Sequence, residues 1–101
     1  MSKTYLLQYM EEVQKDLKRL DKPSAAKALQ ALERLKTDPH SGHTLHGSLK
    51  GYRALEFSAP GGAFRAIYRI DGGVCCLVIL VGPHENIYEI AERRVKRLKS
   101  Q

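Results

Sequence analysis

One uninterrupted apolar run, VCCLVILV at Val74 to Val81, limits the fold of this chain more than any other feature. It is too short to cross a bilayer, and its β-branched residues favour a strand over a helix. A strand that is apolar on both faces must be covered on both faces. We therefore expect this strand to be central in a sheet and covered on each side, with a hairpin of two helices as one of the covers.

Two further strands are predicted just before this run. Tyr52 to Ser58 and Ala63 to Ile70 are rich in β-forming residues, and turn signals separate the three segments at Pro60-Gly61-Gly62 and Asp71-Gly72-Gly73. Such short connections predict an antiparallel meander. The segment Thr4 to Tyr9 is a further candidate strand at the start of the sheet.

The helices are predicted from apolar residues that recur every three or four positions. They lie between Met10 and Leu20, between Ala25 and Leu35, and from Ile87 to Leu98. Pro23 suits the start of the second helix, and Ser24 is a candidate cap for it. The fold class is thus α+β: a small sandwich of an antiparallel sheet against an N-terminal helix hairpin, with a C-terminal helix. We expect residues 1–101 to form one domain.

Composition points to a polyanionic or acidic partner. Seventeen Lys and Arg against eleven Asp and Glu give a net charge of +6, which attracts RNA, DNA or an acidic protein. No segment predicts a membrane span or a signal peptide, so we expect a cytoplasmic protein with no membrane contact. Cys75 and Cys76 are expected to stay reduced. No metal or other cofactor is expected, because His40, His43 and His46 have no Cys or acidic partner nearby in the sequence.

The alternation of Ala63 to Ile70 predicts two arginines on one face of a strand. Arg65 and Arg69 alternate with the core residues Phe64, Ala66, Tyr68 and Ile70. If the helix begins near His84, then His84 and Tyr88 lie four residues apart on one helical face. Both side chains are then expected to approach Arg65 at one end of the sheet.

Such a group of side chains suits cleavage of RNA through its own 2′-OH, without a metal. That reaction needs a base, an acid and positive charge on the phosphate. Arg65 is a candidate phosphate clamp and His84 a candidate acid or base, since imidazole titrates near neutrality. Tyr88 is a candidate for stacking on a base or positioning a proton. Lys50 and Arg53 would add phosphate contacts.

At these residues the chain resembles the RelE/ParE superfamily of toxins from bacterial type II toxin–antitoxin systems, and RelE-like mRNA interferases in particular. Three motifs carry the resemblance: L-x-G-x-x-x-G-Y-R from Leu45, F-R-x-I-Y-R-I from Phe64, and V-G-x-H-E-x-x-Y-x-x-A-x-R-R from Val81. The order of helices and strands agrees with the family as well.

The resemblance implies a ribosome-dependent, metal-independent endoribonuclease that cuts mRNA to leave a 2′,3′-cyclic phosphate and a 5′-OH. The resemblance assigns the family's catalytic roles to Arg65, His84 and Tyr88. It also implies three partners for the protein: a cognate antitoxin, mRNA on the ribosome and ribosomal RNA. Many relatives have a basic residue near the position of Glu56. Here Glu56 is either the general base or an ion-pair partner of Arg65 or Arg69.

Other interpretations remain open. The same fold serves ParE-like toxins, which inhibit DNA gyrase without chemistry, and a catalytically inactive module that only binds its antitoxin is a third possibility. Arg65 and Arg69 can be surface charges, His84 a local cap and Tyr88 a residue at the edge of the core. The basic run that includes Arg93 and Arg94 is either a solvated helix face or a contact with ribosomal RNA.

Overall fold

The computed structural model describes residues 4–83 and 85–100, which form a five-stranded sheet between helices. The elements are β1 (Leu6–Tyr9), α1 (Glu11–Lys18), α2 (Lys22–Glu33), β2 (His43–Thr44), β3 (Tyr52–Ala59), β4 (Gly62–Asp71), β5 (Cys75–Pro83) and α3 (Ile87–Lys99), with 3₁₀ turns at Arg34–Lys36 and Gly47–Leu49. The predicted α+β class, the meander and the C-terminal helix are confirmed. No helix among the described residues is long and apolar enough to cross a membrane.

The strand order is β1-β5-β4-β3-β2, so β5 has a neighbour on each side, as its apolar sequence predicted. The sheet is mixed rather than wholly antiparallel, because β1 pairs with Cys75 to Val78 of β5 in parallel. A parallel pair needs a crossover, and α1, α2, β3 and β4 lie between these two strands in the sequence. The candidate strand at the N-terminus therefore joins the sheet beside its most apolar strand.

Two apolar cores cover the two faces of the sheet. One is built with α1 and α2 and contains Val13, Leu32 and Tyr68. The other is built with α3 and contains Ile67 and Ile87. Ile67 was predicted to share a face with Arg65 and Arg69, and it is completely buried there. The face that carries the arginines is thus covered by α3 along its middle.

A β-bulge changes the alternation in β5. Ile67 pairs with Leu80 and Tyr68 pairs with Val78, so one residue of β5 is extra between these pairs. Val78 and Val81 accordingly pack in the core under α1 and α2, whereas Ile79 and Leu80 both pack in the core under α3. A bulge places two consecutive side chains on the same side and bends the strand.

The start of α2 differs from the prediction. Asp21, and not Ser24, caps the helix, since the Ser24 backbone N–H donates to the Asp21 carboxylate at 3.1 Å. Hydrogen bonding from Ser24, through its side chain first and its backbone N–H second, favours the charged carboxylate and lowers the pKa of Asp21. The hydroxyl of Ser24 is buried and accepts a hydrogen bond of 2.9 Å from the Gly61 N–H. The cap of α2 is therefore tied to the turn between β3 and β4.

Candidate active site

The hairpin of β3 and β4 brings Glu56 and Arg65 into contact. Glu56 lies directly opposite Arg65 in the register of the two strands, so both side chains project from the same face. A terminal nitrogen of Arg65 lies 2.6 Å from a carboxylate oxygen of Glu56. The Arg65 side chain is only 16% exposed, while that of Glu56 is 55% exposed. The predicted ion pair with Arg65 is thus present, and its acidic member faces solvent.

The helix α3 supplies the second contact of Arg65. Arg65 donates a hydrogen bond to the hydroxyl of Tyr88, and its guanidinium carbon lies 5.2 Å from the centre of the Tyr88 ring. The expected approach of Tyr88 to Arg65 is confirmed. The guanidinium is held by a carboxylate on one strand and a phenol on a helix, which fixes its orientation.

Tyr88 reaches Arg65 from the first turn of α3, which begins at Ile87 after Asn86 in a left-handed conformation with φ of 57°. The predicted pairing of His84 with Tyr88 on one helical face is not tested. His84 itself lies outside the described residues, so its proposed role stays a prediction.

A small cleft lies beside the ion pair. Its volume is about 180 Å³, and its lining includes Glu56, Phe57, Ser58 and Arg65. Because the Arg65 guanidinium stays charged, the cleft beside it is a candidate position for an anionic group of a ligand.

A second arginine on β4 makes a similar set of contacts. Arg69 donates to Asp71 at 2.8 Å and to the hydroxyl of Tyr52 at 3.1 Å, and its guanidinium carbon lies 5.9 Å from the centre of the Tyr52 ring. Although burial opposes the charged form, the hydrogen bonds to Tyr52 and Asp71 raise the pKa of Arg69 above its ordinary value. Glu56 does not pair with Arg69.

The four predicted RNA-binding residues do not all lie on one exposed surface. Lys50 is exposed just before β3, and Arg93 is exposed on α3. Arg53 pairs with Tyr68 in the sheet, so it projects from the face opposite to Arg65, where it donates to the Gly42 carbonyl at 2.7 Å. The structure therefore separates Arg53 from the cluster around Arg65.

The prediction for Arg94 is wrong. Its side chain is 10% exposed, and its guanidinium makes two hydrogen bonds to Asp16, of 2.7 and 2.8 Å. A third hydrogen bond, of 2.9 Å, goes to the carbonyl of Ile79. Because the guanidinium N–H groups are buried and already hydrogen-bonded, they are not accessible to RNA. Arg94 is part of the interior of the protein.

Asp16 is the partner that sequence reasoning missed. It lies between Val13 and Leu17 on the apolar face of α1, where an acid must find a partner. Arg94 likewise lies between Ala91 and Leu98 on the apolar face of α3. An acid and an arginine that each interrupt an apolar stripe are a signal of a buried pair, and this signal was available in the sequence.

Comparison with known proteins assigns the family. Residues 7–99 match the model of the ParE-like toxin of type II bacterial toxin–antitoxin systems. No curated protein matches this sequence significantly.

Solved structures of RelE toxins share the fold. A mutant of Escherichia coli toxin RelE in the free state is 24% identical over 93% of this chain and 97% of that chain, with a TM-score of 0.71. The Mycobacterium tuberculosis RelBE2 toxin–antitoxin complex gives 22% identity over 78% of this chain and 90% of that chain, with a TM-score of 0.68. A RelE–RelB complex from Pyrococcus horikoshii gives 20% identity, 81% and 97% coverage and a TM-score of 0.60. The chain belongs to the family of ParE-like toxins of type II bacterial toxin–antitoxin systems.

Proposed function

We propose that this toxin is a metal-independent endoribonuclease that cleaves mRNA on the ribosome in the cytoplasm. The observation that carries the proposal is the cluster of Glu56, Arg65 and Tyr88, which joins a carboxylate, a guanidinium and a phenol beside a cleft. These three groups can supply a base, phosphate binding and orientation of the phosphate-binding group. The expected acid, His84, completes the proposal.

In the proposed reaction Arg65 binds the scissile phosphate through its terminal N–H groups. Glu56, released from Arg65 as the phosphate takes its place, accepts the proton of the 2′-OH. The 2′-oxygen attacks phosphorus, the bond from phosphorus to the 5′-oxygen breaks, and His84 gives its proton to the departing oxygen. The products are a 2′,3′-cyclic phosphate and a 5′-OH. The charge that develops on the phosphoryl oxygens is stabilised by Arg65, whose guanidinium stays protonated throughout.

The exposed position of Glu56 supports this exchange. An ion pair with an acid that is 55% exposed is weak, because solvent screens it and can hydrate the freed carboxylate. A phosphate can therefore replace Glu56 on Arg65 at low cost. A buried acid such as Asp16 could not be released in this way.

The partner that we propose as inhibitor is a cognate antitoxin. The solved M. tuberculosis and P. horikoshii complexes each contain a RelE-like toxin with its antitoxin. The net charge of +6 on this chain favours an acidic partner. We further propose that Lys50, Arg53 and Arg93 contribute positive charge towards ribosomal RNA.

The second candidate function is inhibition of DNA gyrase by binding alone. The family model that matches is the ParE-like one, which favours this alternative. In that case the contacts of Glu56 and Tyr88 with Arg65 would serve only to shape a binding surface. The third candidate is a catalytically inactive protein that binds only its antitoxin.

The test is mapping of the 5′ ends of cellular mRNA after brief induction of the toxin. We expect new ends within translated regions for the wild type, none for Arg65→Gln, and wild-type ends for the control Arg69→Gln. Arg69 is a matched control because it lies on the same strand and face, with its own carboxylate and phenol. Intact mRNA together with growth arrest and DNA damage would instead establish gyrase as the target.

A further inference from the structure

The Asp16–Arg94 pair is a buried charged contact that the proposed reaction does not use. Both residues are buried, and two parallel hydrogen bonds join the guanidinium to the carboxylate. The pair also binds the backbone of β5: Arg94 donates to the Ile79 carbonyl, and Asp16 accepts from the Val81 N–H at 3.1 Å. Two helices and one strand thus meet at a single ion pair.

The position of the pair follows from the length of β1. Tyr9, the last residue of β1, pairs with Val78, so β5 continues beyond its neighbour on that edge. The Ile79 carbonyl and the Val81 N–H lie just past this point, at the bulge, and would lack strand partners. Asp16 and Arg94 satisfy them. Because α1 and α3 cover opposite faces of the sheet, the pair links the two faces around the edge of β5.

The same pair is connected to the candidate site on two sides. Val81 pairs with Ala66, and the next residue, Gly82, pairs with Arg65. Tyr88 lies on α3, six residues before Arg94, which corresponds to about 9 Å along a helix. Arg94 therefore attaches the helix that carries Tyr88 to the strand segment that borders Arg65.

Apolar packing alone does not set the register of a helix on a sheet. The contacts of Ile87, Ala91 and Val95 with the core are non-directional. A bidentate guanidinium–carboxylate contact is directional and adds geometric specificity. Of the two ion pairs that join α3 to α1 among the described residues, Asp16–Arg94 is buried, while Arg97–Glu12 is more open to solvent.

We propose that Asp16 and Arg94 are positioning residues, which fix α3 along β5 and so hold the Tyr88 phenol against the Arg65 guanidinium. They do not touch the substrate. The activity readout of this inference rests on the proposed ribonuclease function, whereas its structural readout does not.

The test variant is the full chain with Asp16→Leu and Arg94→Met together, because removing both charges leaves no unpaired ion in the interior. We expect a folded protein whose kcat for cleavage of ribosome-bound mRNA falls at least about tenfold, with KM nearly unchanged, since small displacements of positioned groups are costly. Adding Tyr88→Phe to this variant is expected to have little further effect. Glu12→Gln, which breaks the exposed contact between the same two helices, is the matched control and should keep the wild-type rate.

The structural readout is the NMR signal of the Tyr88 ring in protein with ¹³C-labelled tyrosine, identified by its loss in Tyr88→Phe. In the wild type, Arg65→Gln should shift this signal, because the guanidinium lies over the ring. In the Asp16→Leu/Arg94→Met variant the same substitution should leave the signal in place. A wild-type response of Tyr88 to Arg65→Gln in that variant would overturn the inference.

Two further outcomes are informative. If the double variant does not fold, Arg94→Lys keeps the charge but not the two-point contact. It should weaken the response of Tyr88 to Arg65→Gln, and an unchanged response would again overturn the inference. If wild-type protein cuts no mRNA, the proposed function fails, and the response of Tyr88 still decides the role of the buried pair.

Discussion

Two arginines on β4 have the same kinds of partners and different surroundings. Arg65 contacts Glu56 and Tyr88, and Arg69 contacts Asp71 and Tyr52. The partners of Arg69 come from its own strand and the neighbouring strand, whereas Tyr88 reaches Arg65 from α3. Arg65 is also the more buried of the two and borders a cleft. Because both arginines contact an acid and a tyrosine, what distinguishes Arg65 is the helix that approaches it and the cleft beside it.

The largest difference in cleavage rate is expected between variants of the two acids, Glu56 and Asp71. Glu56→Gln should lower the rate of mRNA cleavage by about 10²- to 10⁴-fold, because the amide cannot accept the 2′-OH proton. Asp71→Asn should leave that rate within about twofold, since Asp71 has no proposed role in chemistry. Single-turnover cleavage of ribosome-bound mRNA measures both. Equal losses in the two variants would remove the distinction between the clusters.

The arginines themselves should differ nearly as much. Arg65→Gln is expected to lower the cleavage rate by about 10²- to 10³-fold, which is typical of losing one group that stabilises charge in the transition state. Arg65→Lys should cleave mRNA almost as slowly as Arg65→Gln, because an ammonium group cannot make the same two-point contact with the phosphate. Arg69→Gln and Arg69→Lys are the controls in the same assay. A Lys variant at position 65 with full activity would contradict the need for a guanidinium.

The two tyrosines provide a finer comparison. Tyr88→Phe removes one hydrogen bond to a charged group and should cost about tenfold in rate. Tyr52→Phe removes the corresponding hydroxyl from Arg69 and should change the rate by less than about twofold. Both rings stay in place in these variants, so packing is unaltered. A full loss of activity in Tyr88→Phe would instead make the phenol a proton donor or acceptor in the reaction.

The smallest difference between Arg65 and Arg69 is expected in their contribution to the stability of the fold. Arg65→Gln and Arg69→Gln are each expected to lower the free energy of unfolding by less than ~1 kcal/mol, because their acidic partners are exposed and remain hydrated. Urea denaturation of both variants beside the wild type is the measurement. A loss above ~3 kcal/mol in Arg65→Gln alone would mean that its main role is structural.

Much of the fold could be predicted because each element has a regular local pattern. The apolar run of β5 indicated its burial on both faces, and the turn signals defined the meander. The parallel pairing of β1 could not be predicted, since it depends on a contact between distant parts of the sequence. The bulge in β5 was equally hidden, because an unbroken apolar run looks the same with or without an extra residue.

The candidate site was predictable in part for the same reason. Alternation placed Arg65 correctly, and its pair with Glu56 followed from the register of a short hairpin. The proposed pairing of His84 with Tyr88 stays a prediction, because His84 lies outside the described residues, whereas Tyr88 lies in the first turn of α3. Arg94 was assigned to the surface because it lies in a basic run, although its place between Ala91 and Leu98 on the apolar face of α3 indicated burial beside an acid such as Asp16.

The parallel pairing of β1 with β5 also has a consequence for synthesis of the toxin. Residues 6–9 leave the ribosome before the other strands of the sheet but find their strand partner only when Cys75 to Val78 have emerged. Contacts between such distant segments form late, and shorter nascent chains lack the strand that both cores require. Protease protection of stalled nascent chains should therefore rise sharply once β5 is outside the exit tunnel. The toxin is thus expected to become folded and active only after most of the described chain has been translated. An antitoxin that is already present can bind it as soon as it folds.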